Sequence, residues 1–472
     1  MRQQIWHDRD LHTRKTITCS LKKFLTGTGL LFSVCLGLSI SSWATGQSGD
    51  QGRATGKAVP GPKIQHVVVI FQENRTPDNL FHGLPNADIA NSGVNSRGET
   101  IRLTPKSLTA NYDLAHTHEA FVQMFNGGRM NGADKVAVEC WHPGVCPPRN
   151  PQFVYVPASE ARPYLQMAEQ YTFGDRMFQT NQGPSFPAHQ FIISGTSAPT
   201  PTSDLFAAEN PGYANGKGKP DAFWHTGCTA PSGEAVLLID PSGHESSAQY
   251  PCFEHPTLAD LLDAQGISWR YYTPSAGMIW TGPNAIRHLR FGRDWSRNVI
   301  IKPAQVLTDI EKGALPAVSW VIPDGRSSDH PGNDGSGPSW AAAIVNAIGQ
   351  SPYWRSTAIL ITWDDWGGFY DHMAPPIYNS YEYGFRVPLI VVSPYAKPHY
   401  VSHEMHDFGS ILRFIEDNFG LPTLGYADSR ADNLSDCFDF DQAPLRFKRI
   451  RAPLDGKHFL GDRRPPTDPD ND

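Results

Sequence analysis

The chain has 472 residues, of which 39% are hydrophobic and 11% aromatic, and its formal net charge is −7. These values are typical of a globular protein with a large core and exclude a fibrous or wholly disordered chain. The negative charge argues against nucleic acid as a partner, because nonspecific nucleic-acid binding needs a broad basic surface. The 42 glycines and 40 prolines indicate many turns and long loops, which often carry functional residues.

The first 44 residues have the features of a signal peptide. A basic pair precedes an apolar run over 24–40, and the small residues Ser42 and Ala44 fit a cleavage site after Ala44. An uncleaved membrane anchor is the alternative, although the apolar run is short for a membrane-spanning helix. We therefore expect an exported protein, either periplasmic or secreted.

Two polar segments flank the part of the chain that is expected to fold. Residues 45–62 are small, polar and without periodicity, which is typical of a flexible leader. Residues 455–472 end in a proline- and aspartate-rich sequence and are interpreted as a flexible tail. One domain over 63–454 remains.

The cysteines of the exported part favour disulfides over a metal site. An oxidising compartment favours the local pairs Cys140–Cys146 and Cys228–Cys252, with Cys437 left over. The sequence contains no CxxC pair that would indicate a zinc site.

Four apolar, β-branched runs predict buried strands, and one amphipathic stretch predicts a helix. Their hydrophobicity is continuous rather than alternating, as expected of strands covered on both faces. The predicted helix spans Asp407 to Phe419, with Asp407 as its N-cap. We therefore predict an α/β fold with a central, mostly parallel sheet between helical layers. The strand runs are Ile64–Phe71, Ala317–Ile322, Ala358–Thr362 and Val387–Val392.

Two acidic pairs directly follow predicted strands, where open α/β sheets place their sites. Glu73-Asn74 follows the first strand and Asp364-Asp365 the third. Three carboxylates and an amide oxygen suit one divalent cation, and burying them without a cation would be costly. The alternative is that each pair only caps a helix or faces water. Because both pairs stand at strand ends, we predict a metal site.

A hydroxyl nucleophile next to this ion is predicted at Ser185. Gly183 and Pro184 favour a turn before it, and Pro187 suits the first turn of a following helix. A helix N-terminus attracts anionic groups through its free amides and its dipole. Simple N-capping is the alternative role of this serine.

Histidines in polar, loop-like settings supply candidate acids and hydrogen-bond donors. A single loop histidine is usually just solvated, so these residues matter only as a group. They are His116, His118, His288 and His330.

Together these segments resemble the bacterial phospholipase C and acid phosphatase family, whose fold is similar to that of alkaline phosphatase, an α/β/α sandwich. Thr76 and Pro77 depart from the Ser and Phe of the family's first motif without touching the two metal positions. The matching segments run in the family's order. They are Glu73–Phe81, Asp113–His116, Ser185–Ser197, Asp329–Pro331, Thr362–His372, Gly384–Pro388 and Ser393–Tyr395.

The resemblance implies a phosphoester hydrolase that forms a phosphoserine on Ser185. His116 and His330, and less directly His288, correspond to active-site histidines, and we assign substrate binding to His118 and His189. His189 stands where the family has an arginine. The expected ligands of one divalent ion, which can be calcium, magnesium, manganese or zinc, are Glu73, Asn74, Ser185, Asp364 and Asp365.

The substrate class stays open at this point. A phospholipase C acts on a phosphodiester and makes transient contact with a membrane surface, whereas an acid phosphatase acts on a phosphomonoester. Aromatic residues near His288 can either form an apolar substrate wall or belong to the core: Tyr271, Tyr272, Trp280 and Trp295. A different class, a catalytically silent exported protein that binds a cation, would be expected to lack some of these residues. A sulfatase would need an arginine at position 189.

Overall fold

The computed structural model describes residues 62–140, 149–213 and 225–467. The predicted signal peptide and, except for residue 62, the predicted leader lie outside the described residues. Within the described ranges, no helix has the length and the apolar character needed to cross a membrane.

The described part of the chain contains strands β1 to β18. The strands over 318–321, 357–363 and 389–392 are buried at every residue. In chain order they are His66–Gln72, Ser92–Val94, Thr100–Arg102, Thr104–Pro105, Tyr112–Leu114, Val138–Cys140, Val154–Tyr155, Thr172–Gly174, Phe206–Ala207, Gly212–Tyr213, Glu234–Ile239, Ser247–Gln249, Trp269–Thr273, Val299–Ile301, Val318–Val321, Thr357–Trp363, Leu389–Val392 and Tyr400–Ser402.

Helices α1 to α12 lie between and after these strands. In chain order they are Pro77–Leu80, His118–Phe125, Arg162–Gln170, Ser185–Ser194, Leu258–Ala264, Arg287–Phe291, Arg293–Asn298, Gln305–Glu311, Gly337–Gly349, Phe408–Phe419, Ala427–Arg430 and Gly456–Gly461.

One eight-stranded sheet forms the centre of the fold, in the order β14-β13-β15-β1-β16-β17-β8-β18. All neighbours in it pair in parallel except that β17 is antiparallel to both β16 and β8. Strands β15, β1 and β16 are adjacent and parallel, so the residues that follow them lie at the same edge of the sheet. This edge is where the sequence places its acidic pairs and His330.

Helices cover both faces of this sheet. Phe71 in β1 packs edge-on against Phe408 of α10, whereas the next residue, Gln72, donates to the Gly337 carbonyl of α9. Neighbouring residues of a strand point to opposite faces, so α10 and α9 lie on opposite sides. The predicted α/β/α sandwich with a mostly parallel central sheet is therefore confirmed. The predicted strand at 387–392 is shorter, as β17, and runs against the others.

The predicted helix over 407–419 is confirmed as α10. Asp407 is its N-cap and accepts a hydrogen bond from the Ser410 amide at 3.0 Å, while the Ser410 hydroxyl accepts from the Asp407 amide at 3.0 Å. This reciprocal capping satisfies backbone donors that the helix itself cannot pair. Asp407 is only 1% exposed, and burial raises the pKa of its carboxyl to about 6.

The substitution Asp407→Asn is expected to change how stability depends on pH. The folded pKa of about 6 lies above the unfolded value near 3.9, so the wild-type protein loses stability as pH rises through about 6. Asparagine keeps an acceptor oxygen for Ser410 but does not ionise. Urea unfolding should therefore show the variant gaining about 3 kcal/mol relative to the wild type between about pH 4 and pH 8. Parallel pH profiles for the two proteins would contradict this.

The structure also describes part of the predicted cysteine pairing and part of the predicted C-terminal tail. Cys228 and Cys252 form the expected disulfide, whereas Cys146 lies outside the described residues and its pairing with Cys140 stays a prediction. Cys437 is fully buried. Within the predicted flexible tail, residues Gly456–Gly461 form the helix α12.

Packing explains the order of that C-terminal segment. The Asp455 carboxylate caps the N-terminus of α12, and Phe459 is only 7% exposed and packs against Trp340 of α9. The burial of one aromatic side chain is enough to hold a short helix that composition alone does not predict.

Candidate active site

Backbone hydrogen bonds hold the two acidic pairs side by side beyond the ends of β1 and β16. The Asp364 amide donates to the Gln72 carbonyl at 2.9 Å, and the Arg75 amide donates to the Asp365 carbonyl at 3.0 Å. The Asn74 amide also donates to Asp364 Oδ1 at 3.0 Å. The parallel ladder thus continues into the loops and brings the two motifs, nearly 300 residues apart, into contact.

Two glycines allow these loops to approach so closely. A Cβ on Gly367 would lie 2.5 Å from the Cβ of Asn74, and a Cβ on Gly368 would lie 2.4 Å from the Cβ of Leu114. Both glycines have positive φ angles, 61° and 71°, which other residues rarely adopt. The glycine pair after Asp364-Asp365 therefore serves the shape of the site.

Glu73, Asn74, Asp364 and Asp365, called the acidic set below, form a buried group that fits a divalent cation. Glu73, Asp364 and Asp365 are 0% exposed, and three such charges are costly to bury without a compensating charge. Asn74 Oδ1 is also buried and has no hydrogen-bond partner among the described residues, as expected of an oxygen kept for a ligand. Oxygens of Glu73 and Asp364 lie within 4.8 Å of each other and of a His189 nitrogen. These donors suit a metal ion.

Ser185 stands at the first position of α4 and faces this acidic set. Its hydroxyl oxygen lies 3.4 Å from Glu73 Oε2 and 3.5 Å from Asp365 Oδ2. Gly183 precedes it in the predicted turn, where a Cβ would lie 2.2 Å from the Ala208 carbonyl oxygen. The helix N-terminus therefore places the hydroxyl against the carboxylates, and the dipole of α4 points its positive end there.

His116 and His330 meet at the same place. Their ring centroids are 5.9 Å apart, and both rings are fully buried. His116 Nδ1 lies 2.9 Å from the Leu114 carbonyl and His330 Nδ1 lies 2.8 Å from the Pro331 carbonyl. A carbonyl only accepts, so each Nδ1 carries a proton and each Nε2 is directed elsewhere.

The Nε2 atoms of these two histidines face the acidic groups. His116 Nε2 lies 3.4 Å from Asn74 Nδ2 and 4.0 Å from Asp365 Oδ2. His330 Nε2 lies 3.7 Å from Asp113 Oδ2, and Asp113 comes from the motif that also supplies His116. His116 Nε2 is thus near the Asp365 oxygen that Ser185 also approaches, whereas His330 Nε2 faces Asp113.

His189 lies one helical turn after Ser185, directly against Glu73. Its Nε2 is 3.1 Å from Glu73 Oε1, and its Nδ1 is 3.3 Å from the Tyr271 hydroxyl. Phe71 contacts the ring edge-on, and Trp280 stacks over it. Complete burial holds the pKa of His189 well below its usual value. Sequence reasoning assigned this residue to the substrate, but its observed contact is with a predicted metal ligand.

His118, at the start of α2, contacts two glutamates outside the acidic set. The ring of His118 is held by Glu245, whose Oε1 is 2.6 Å from Nδ1, and the amide of His118 donates to Glu209 at 2.9 Å. Burial, with Glu245 nearby, raises the pKa of Glu209 to about 8. Neither glutamate belongs to a motif, so no sequence pattern pointed to them. Substrate binding by His118 stays a prediction.

His288 makes its contacts with other acidic residues than the acidic set, and it stays a predicted site residue. It lies in the short helix α6, where Nδ1 is 2.6 Å from Glu254 and Nε2 is 3.0 Å from Asp260. Hydrogen bonds and charge from Asp260 and Glu254 raise its pKa to about 9. The ring is one-third exposed and serves a surface ion-pair network. A short local motif does not reveal these contacts.

The aromatic residues near His288 belong mainly to the core. Tyr271, Tyr272 and Trp280 are all 0% exposed. Tyr272 donates to Asp309, away from the acidic set. Trp280 lies beside both His189 and His330, so it forms one wall of the site, whereas Trp295 stacks on Arg290 near the surface.

A buried ion pair connects two further motifs. The Arg386 guanidinium donates to both carboxylate oxygens of Asp371, each at 2.9 Å, and to Asp78 at 3.3 Å. All three groups are fully buried. A two-pronged contact of this kind fixes geometry as well as charge. It ties the loop that follows β16 to the segment just before β17.

The family model described as "Phosphoesterase family" matches residues 64–422, which is most of the chain and includes every residue of the acidic set. The chain belongs to the Phosphoesterase family. The resemblance drawn from the motifs is thereby confirmed.

Individual relatives of this family member include phospholipases C. The chain is 25% identical over 418 residues to a non-hemolytic phospholipase C of Pseudomonas aeruginosa, an alignment that covers 76% of this chain and 54% of that protein. It is also 25% identical over 441 residues to phospholipase C B of Mycobacterium tuberculosis, covering 81% of this chain and 78% of that protein. The chain thus spans about half the length of the Pseudomonas relative.

Among solved structures, the chain is similar to one described as a protein in the alkaline phosphatase superfamily from Vibrio parahaemolyticus. The identity is 12%, the TM-score is 0.34, and the alignment covers 81% of this chain and 74% of that chain.

Proposed function

We propose that this protein is a metal-dependent phosphoric ester hydrolase that transfers the phosphoryl group of its substrate to Ser185. The observation that supports this most strongly is the position of the Ser185 hydroxyl, 3.4 Å from Glu73 and 3.5 Å from Asp365 at the N-terminus of α4. A serine that only caps a helix would not need two buried carboxylates at its hydroxyl. A nucleophile that binds an ion is expected to lie beside the carboxylates that hold the same ion.

Glu73, Asn74, Asp364 and Asp365, together with Ser185, would hold the ion. When bound, a divalent ion would offset the buried negative charge and lower the pKa of a hydroxyl beside it. The N-terminus of α4 then favours the anionic phosphoryl oxygens.

Ser185 and the two buried histidines would carry out two chemical steps. In the first, Ser185 Oγ, deprotonated to the alkoxide that a bound ion would favour, attacks phosphorus in line, the bond from phosphorus to the alcohol oxygen breaks, and a protonated Nε2 of His116 or His330 gives its proton to that oxygen. In the second, water attacks the phosphoserine, the bond from phosphorus to Ser185 Oγ breaks, and a proton of the water returns to the imidazole. The hydrogen bonds from each Nδ1 to a backbone carbonyl keep both rings oriented for this exchange.

For the substrate we propose a phosphodiester of the phospholipase C type, with transient contact to a membrane surface. The support is the similarity to phospholipases C named in both Pseudomonas aeruginosa and Mycobacterium tuberculosis. Phosphomonoester hydrolysis, as in an acid phosphatase, is the competing activity, and the acidic set would serve it equally.

Side-by-side assays with chelation test this proposal. The purified protein is given phosphatidylcholine vesicles and p-nitrophenyl phosphate in separate reactions, before and after EDTA treatment, and then Ca²⁺, Mg²⁺, Mn²⁺ or Zn²⁺ is added back singly. We expect diacylglycerol release that EDTA abolishes and at least one ion restores. Turnover of the monoester alone would reject the phospholipase C assignment. Activity that survives thorough chelation would reject metal dependence, and no turnover of either substrate would favour a cation-binding protein without catalysis.

A further inference from the structure

One face of α4 presents two side chains to the same carboxylate. Ser185 and His189 are four residues apart, so they lie one above the other on the helix. The Ser185 hydroxyl is 3.4 Å from Glu73 Oε2, and His189 Nε2 is 3.1 Å from Glu73 Oε1. The histidine is therefore placed at the acidic set as directly as the proposed nucleophile is.

Each nitrogen of the His189 ring faces one oxygen, Nδ1 that of Tyr271 and Nε2 that of Glu73. The Tyr271 hydroxyl donates its single hydrogen to the Trp280 carbonyl at 2.8 Å. Toward His189 Nδ1, at 3.3 Å, this hydroxyl can only accept, so it suits the tautomer in which Nδ1 carries the hydrogen. Tyr271 is thus a fixed acceptor for the tautomer whose Nε2 lone pair is free to bind an ion beside Glu73.

In that tautomer, His189 Nε2 and Glu73 Oε1 are two possible ligands of one ion, 3.1 Å apart, with both side chains 0% exposed. Without an ion, the same distance fits a hydrogen bond from Nε2–H to the carboxylate, so ion binding would replace that hydrogen. Two ligands on one ion, at bond lengths of about 2.0–2.2 Å and angles of 90–110°, are separated by roughly 3.0–3.5 Å. The observed separation falls in that range, and an oxygen of Asp364 lies within 4.8 Å of both atoms.

We propose that His189 Nε2 is a nitrogen ligand of the divalent ion, next to Glu73 and Asp364, and that the site therefore prefers an ion such as Mn²⁺ or Zn²⁺ to Ca²⁺. This inference rests on the metal site of the proposed function and adds a ligand to it. Imidazole is a good ligand for transition ions, whereas Ca²⁺ takes oxygen ligands. The packing of Phe71 and Trp280 on the ring fixes its orientation as ligation requires.

Electron spin echo envelope modulation of the Mn²⁺-loaded protein tests this ligand directly, because it detects nitrogen bonded to the ion. We expect ¹⁴N modulation in the wild type, its replacement by a ¹⁵N signal after labelling with ¹⁵N-histidine, and its loss in His189→Gln. His116→Gln is the matched control. It removes another buried histidine near the set, whose Nε2 lies 3.4 Å from Asn74 Nδ2 and 4.0 Å from Asp365 Oδ2, and should keep the signal.

Metal affinity gives a second, independent measurement. Titration calorimetry should show Mn²⁺ binding weakened about 10–100-fold in His189→Gln, since the loss of outer partners of a ligand alone has effects of that size. Ca²⁺ binding should change far less, so the ratio of the two affinities falls.

The outcomes separate this inference from the proposed function. If Mn²⁺ binds and supports turnover but the wild type shows no ¹⁴N modulation, or His189→Gln keeps it, then His189 is not a ligand and the proposed function stands. If the wild type binds no divalent ion stoichiometrically, both the ligand and the metal dependence are wrong.

Discussion

Ser185→Ala is expected to lower kcat by about 10⁴-fold or more on whichever phosphoester the wild type hydrolyses, because removing a covalent nucleophile has effects of this size in other hydrolases. Alanine leaves the helix and the buried carboxylates in place but removes the oxygen that lies 3.4 Å from Glu73 and 3.5 Å from Asp365. Initial rates with phosphatidylcholine and with p-nitrophenyl phosphate measure the loss.

The Ser185→Ala variant must retain its fold and its metal for this result to identify the nucleophile. The affinity for the ion should fall little, because the oxygens of Glu73, Asn74, Asp364 and Asp365 remain. Thermal unfolding and metal analysis check both points. Acid quenching of the wild type during turnover, followed by peptide mass spectrometry, should find phosphate on Ser185. A variant that keeps more than about a tenth of the wild-type rate with intact metal binding would show that another group attacks phosphorus.

The fold was predictable because the central strands are buried on both faces. The runs 67–71 and 358–361 contain no polar residue and are fully buried, and a layered α/β fold covers such strands on both faces. The position of the acidic pairs followed from the same argument. Parallel strands end at one edge, so polar residues that directly follow β1 and β16 had to meet there.

Features that depend on tertiary packing were not predictable. His189 was identified through its motif, but its contact with Glu73 depends on how α4 lies against β1. His288 and His330 both stand in short polar motifs, and only the structure separates the surface ion pairs of the first from the buried position of the second. The direction of β17 and the folding of residues 455–467 were not predictable for the same reason. Strand pairing and the burial of Phe459 depend on residues far away in the chain and leave no local sequence pattern.

Asp364→Asn is expected to remove most of the response to metal while leaving the metal-free protein at least as stable as the wild type. In the absence of an ion, Glu73, Asp364 and Asp365 are three buried acidic groups at close range, and removing one charge relieves repulsion. Asparagine keeps the Oδ1 acceptor that the Asn74 amide uses at 3.0 Å, so the loop geometry should persist. Loss of a ligand charge, by contrast, should weaken ion binding by about a hundredfold or more.

Chemical unfolding with EDTA and with added ion measures both effects. At an ion concentration 100 times the wild-type Kd, the wild type gains about 2.7 kcal/mol of unfolding free energy, and a hundredfold weaker variant gains only about 0.4 kcal/mol. Asp371→Asn, seven residues further along the same loop, is the matched control. It breaks the buried contact with Arg386 and should cost about 3–5 kcal/mol with or without the ion. If Asp364→Asn instead behaves like Asp371→Asn in EDTA and still responds fully to the ion, then Asp364 is a structural carboxylate and the ion binds elsewhere. A metal ligand stabilises the fold only when the cation is bound, whereas a buried salt-bridge partner stabilises it with or without the cation.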